Sequence, residues 1–216
     1  MEKIVFEIGD LVLMEPMALV FNWIISIQCL LHFRSLKQSS SSGQWIKGWA
    51  AFFALFSAST FFGGISHTFY HYLGMNGKIP GWSLAVLSIS CLEYTVLLRH
   101  SFWKPWIAFS TVLIQTILVF LVLSFDFQFL WVTIHTSMGL LLVLGGSSLI
   151  LRTHNRGNID FIIAIAWMLA SLPFVILGID LNTWFNRHDI SHVFMIISLY
   201  KMYDAAKKSS TTVSKH

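Results

Sequence analysis

Residues 105–124, PWIAFSTVLIQTILVFLVLS, run without one charged side chain. At about 1.5 Å per residue a helix of this length reaches about 30 Å, the hydrocarbon thickness of a bilayer. A stretch like this reads as a membrane-spanning helix, and similar windows recur along the chain. They predict seven spans, at about Leu11–Phe33, Ile46–Leu73, Gly81–Arg99, Pro105–Ser124, Phe129–Leu151, Asp160–Ile179 and Phe185–Tyr203. The second is long and interrupted by Gly63-Gly64, whose small size suits close helix packing. The sixth holds Pro173, which predicts a kink. The seventh opens with a polar turn, so its start must pack inside the bundle.

Composition agrees. Of 216 residues, 56% are hydrophobic and 11% charged, with mean hydropathy +0.70. Soluble domains carry about a quarter charged residues. The expected fold is therefore all-α: one polytopic seven-helix transmembrane domain over residues 1–204, followed by a polar, disordered tail over 205–216. The loop Ser39–Gly43 reads as flexible. Cys29 and Cys91 fall inside apolar segments and read as small buried hydrophobes rather than a disulfide framework. Met1 to Asp10 lacks a basic region, so no cleaved signal peptide is expected. The net charge of +4 is no nucleic-acid signal, because the basic residues sit in loops. Eleven of the 14 Lys and Arg fall on one side, leaving Lys3, Lys78 and Arg187 on the other. The bias places the N-terminus outside and the C-terminus in the cytoplasm, in a plasma or bacterial inner membrane. Trp82, Trp103, Trp106, Trp131 and Trp184 lie near span ends, as an aromatic belt should.

The informative residues are the ionisable ones inside the spans, which by default face the interior and do something. His67 lies six residues below the outer end of the second span, roughly 10 Å down. His135 on the fifth span and His192 on the seventh fall at the same depth, and Glu15 on the first is slightly shallower. His71, His188 and Asp189 sit one turn nearer the surface, and Asp180, Asn182 and Asn186 lie in the loop above. His188 and His192 are four apart and share a helix face. Three imidazoles from such helices can hold Zn²⁺ and leave a fourth position for water, which then ionises near neutral pH. The candidate ligands are His67, His188, His192, His71 and His135. Glu15, Asp180, Asp189 and the deeper Glu93 are candidates for moving protons or orienting an imidazole. Each histidine alone is more often a hydrogen-bonded packing residue. His32, His100, His154 and His216 read as surface groups.

The run Gly64-Ile65-Ser66-His67-Thr68-Phe69-Tyr70-His71 and the pair His188-x-x-x-His192 opening the seventh helix resemble the superfamily of alkaline ceramidases and progestin/adiponectin receptors. These are seven-helix membrane hydrolases and hydrolase-like receptors. The resemblance implies zinc on His67, His188 and His192, and hydrolysis of a lipid amide or ester near the outer face, with a membrane lipid as substrate. Gly63 stands where the family has a serine, and Tyr72 to Leu92 contains no acid. Those departures favour a second reading, a non-catalytic lipid-sensing or structural protein. A third reading is a b-type haem carrier, with His67 or His135 facing His192.

Overall fold

A computed structural model describes residues 5–39, 43–100, 103–153, 156–182 and 184–213. Ser40, Ser41 and Ser42 of the serine loop, together with Lys3, His154 and His216, lie outside the described residues. The chain is an all-α integral membrane protein. A small hairpin, β1 (Val5–Ile8) and β2 (Leu11–Met14), precedes seven long helices among the described residues. These are α1 (Pro16–Lys37), α2 (Gln44–Thr68), α3 (Lys78–Leu97), α4 (Pro105–Phe125), α5 (Phe129–Ile150), α6 (Arg156–Ile176) and α7 (Arg187–Val213). The first six are long and apolar enough to cross a membrane, the third when its preceding turn from Tyr70 is included. The seventh is as long but carries more polar and charged residues.

The start of the first span differs from expectation. Leu11–Met14 is a strand, not helix. It pairs antiparallel with β1, Ile8 opposite Leu11, across the two-residue turn Gly9-Asp10. Gly9 adopts φ +59°, a conformation glycine takes without a Cβ clash, and a Gly-led two-residue turn is a hairpin signal. Pro16 then opens α1, where its missing N–H would have had no helical partner. Tyr72 ties the hairpin down: its hydroxyl accepts from the Val12 N–H at 2.8 Å and donates to the Asp10 carbonyl at 3.1 Å.

The glycines of α2 do not interrupt it. They let neighbours approach. A Cβ on Gly81 of α3 would meet Gly63 N and Ser59 O at 3.3 Å, and Ser59 Oγ donates to Gly81 O at 2.8 Å. The helix ends instead at Thr68, short of the expected Leu73. α6 breaks at Ser171, just ahead of Pro173, as a proline lacking its N–H dictates. α5 is not uniform: Met138–Gly145 is a π-helix between α-helical ends.

An aromatic core sits toward the end opposite the hairpin. Trp49 stacks on Phe161 at 5.0 Å and meets Phe52 edge-on at 5.5 Å. His32 belongs to this core rather than to the surface. It is buried and stacks on Tyr203 at 4.2 Å, because α7 covers that face of α1. His100 is half-buried, with Nε2 2.7 Å from Ser147 Oγ. The stretch from Ala205, read as a disordered tail, is helical through Val213. Ala205, Ala206 and Ser209 are buried, and a Cβ on Gly157 of α6 would collide with Ser209 Oγ. Small residues on both helices bring α6 and α7 together there.

Candidate functional site

The hairpin end gathers polar groups from α1, α2 and α7. Glu15 precedes α1 with φ +48° and ψ +57°. It is the one non-glycine residue at positive φ among the described residues, and it also precedes a proline, which disfavours helical backbone. Such a conformation costs about 1–3 kcal/mol and persists only where its surroundings enforce it. Here Glu15 Oε2 accepts a hydrogen bond from His67 Nδ1 at 2.9 Å. The carboxylate therefore fixes the tautomer and leaves Nε2 as the basic nitrogen. Nε2 has no hydrogen-bond partner among the described residues. The His67 side chain is 40% exposed and that of Glu15 25%, so water reaches both.

α7 supplies the other wall. Asp189 is buried. Its Oδ2 accepts from the Asn186 backbone N–H at 2.9 Å, and its charge favours the helix N-terminus. Asp189 and His192 stand three residues apart and share one face of α7. His192 stacks on Phe21 at 6.1 Å and its Nε2 lies 3.4 Å from Asn22 Nδ2. Asn22 also donates to Ala18 O at 2.7 Å. Gly63 makes room for it: a Cβ there would stand 3.3 Å from Asn22 Oδ1. An asparagine from α1 thus fills the space beside Gly63. Sequence reasoning passed over Asn22, although a polar amide inside an apolar span was a signal for it.

Not every candidate joins this cluster. His188 and His71 are exposed, and His71 packs edge-on against Tyr72. Asp180 accepts from the Arg187 backbone N–H at 2.7 Å and the guanidinium at 3.0 Å. Those donors hold its carboxyl below the usual carboxylate range and latch the loop ahead of α7. The side chains as they stand form no group of three or more His, Cys, Asp or Glu able to hold a metal ion among the described residues. His67, His188 and His192 share one end of the bundle without converging.

His135 and Glu93 belong to a second polar cluster, between α3, α4 and α5. Gln115 Nε2 donates to Glu93 Oε1 and to His135 Nδ1, each at 3.0 Å. His135 Nε2 donates to Val86 O at 3.2 Å and lies 3.3 Å from Ser90 Oγ. Ser90 and Thr116 share a hydrogen bond of 2.6 Å. Both ring nitrogens of His135 are engaged, so it offers no lone pair to a metal or haem. Gln115 was legible in principle, as a lone amide in the most apolar span.

Over residues 17–211 the chain matches a described family. It belongs to the family of unknown function DUF6962. The DUF6962 match takes in nearly all of the seven helices and every residue of both clusters except Glu15. No curated protein and no solved structure matches the chain.

Proposed function

We propose that the hairpin end is a hydrolytic centre acting on a membrane lipid amide or ester at the outer face of a plasma or bacterial inner membrane. The observation that carries the reading is the Glu15–His67 hydrogen bond of 2.9 Å, made by a residue held in a costly left-handed backbone. A carboxylate that orients a water-accessible imidazole is the arrangement of a general base. Nε2 of His67 takes a proton from water, the water attacks the carbonyl, and the imidazolium returns the proton to the leaving group while Glu15 stabilises its charge. Asp189 and His192 line the same end, and the hairpin stands directly before Glu15 in the chain. As placed, the three histidines do not fit a zinc ion, so no step is routed through one. A zinc-dependent variant needs His67, His188 and His192 to converge on a single ion.

The test is turnover of fluorogenic lipid amides and esters by purified full-length protein in detergent. His67→Ala and Glu15→Gln are each expected to lower the rate about 100-fold or more, with folding unchanged. Wild-type protein inactive across the panel, or equally active in both variants, overturns the reading. Elemental analysis of the active preparation distinguishes its metal-free and zinc forms.

A further inference from the structure

We propose that Glu93 is a proton-binding site sealed inside the bundle, and that the π-helical segment Met138–Gly145 is the element that moves when the proton leaves. Glu93 is 1% exposed. One oxygen accepts from Gln115; the other, Oε2, is buried with no partner among the described residues. Gln115 spends its two N–H groups on Glu93 and His135. That makes His135 Nδ1 an acceptor, and its Nε2–H points at the Val86 carbonyl. The imidazole is therefore neutral and supplies no positive charge to the carboxylate.

No other element supplies one among the described residues. α4 contains no titratable side chain between residues 105 and 125, and the π segment contains none. On α2, Lys47 is exposed and His67 stands at the far end in the other cluster. The turn Gly74–Gly77 is uncharged. On α3 itself, Lys78 is fifteen residues before Glu93 and lies over the Tyr70 ring, Cys91 bonds to Gly48 O and Tyr94 packs on Phe109. An ionised carboxylate here would be buried with one neutral donor, which is far more costly than burying the neutral acid. The ligand that satisfies the site is a proton.

The same contacts name the moving part. A Cβ on Gly139 would collide with Ile89 and stand 3.0 Å from Glu93 Oε1, so the carboxyl lies directly against α5. His135, the other end of the network, is three residues before the π segment begins. π-helical turns are rare, poorly bonded and concentrated at functional sites. Losing the proton leaves a carboxylate that needs new donors, and rearrangement of this segment is the way to supply them. The inference is independent of the hydrolytic proposal, since it uses no residue of the hairpin end.

Infrared spectroscopy of full-length protein in lipid nanodiscs tests it. The expected result is the carbonyl band of a protonated carboxylic acid that shifts in D₂O, bleaches reversibly as pH rises and is missing in Glu93→Gln. Protection of the amides of residues 138–145, corrected for the intrinsic pH dependence of exchange, should fall as the band bleaches and stay constant with pH in Glu93→Gln. Glu93→Asp should move the band rather than remove it, which keeps the test open if Glu93→Gln does not fold. No acid band attributable to residue 93, or one that bleaches while the protection of residues 138–145 stays constant, overturns the proposal. Bleaching that requires sodium overturns the proton in favour of a metal cation.

Discussion

Two clusters in this bundle are built from the same side chains, a glutamate and a histidine, and behave as opposites. At the hairpin end, Glu15 touches His67 directly, and the His67 side chain is 40% exposed. Between α3, α4 and α5, Glu93 and His135 are each 1% exposed and meet only through the Gln115 amide. A direct pair open to water can pass protons to and from a substrate. A pair joined by a neutral amide and cut off from water holds its protons fixed unless the surrounding helices shift. Environment, more than residue type, assigns the role.

The largest expected effect probes the sealed cluster. Gly139→Val places branched carbons against Ile89 and Glu93 and should destabilise the protein by about 3 kcal/mol, the upper range for overpacking. Denaturant titration in detergent would read it, and an unchanged midpoint would mean the helices are not in contact there. Next comes Gln115→Leu, which strips the donor from Glu93 and His135 and should cost about 2 kcal/mol; a stabilised variant would show that the network is not satisfied through Gln115. At the open cluster, His67→Ala should change stability by less than about 1 kcal/mol, as for other solvent-screened pairs, while lowering the proposed hydrolysis about 100-fold or more. A large stability loss there would erase the contrast between the two clusters.

The smallest effect concerns the loop latch. Arg187 donors depress the Asp180 carboxyl, so its contribution is present above the ordinary carboxylate range and is lost as pH falls through the lower folded value. Stability followed by thermal melts from neutral to acid pH should show this limb in wild-type protein, and Asp180→Asn should flatten it.

Much of the fold was written in the sequence. Uncharged runs of bilayer length give the helices, Pro173 gives the break in α6, and Gly63-Gly64 marks a place for close packing, because each is a local property of the chain. The hairpin was legible too, in Gly9-Asp10, but the apolar Leu11–Met14 read equally well as helix. Glu15, His67, Asp189 and His192 could be placed at one end from depth alone. Depth could not say which face of each helix they occupy. That is why His135, set at the same level as His67, turned out to serve a different cluster.

What the sequence determined by itself is therefore the class of solvent, the all-helical architecture and the rough level of each polar group. Tertiary packing alone decided the partners. Rotation of a helix about its axis is set by interlocking with its neighbours, so the pairing of Glu15 with His67 and of Glu93 with Gln115 exists only once α1 has met α2 and α3 has met α4. The same packing extended α7 through Ala205, Ala206 and Ser209, where a polar composition taken alone argued for disorder.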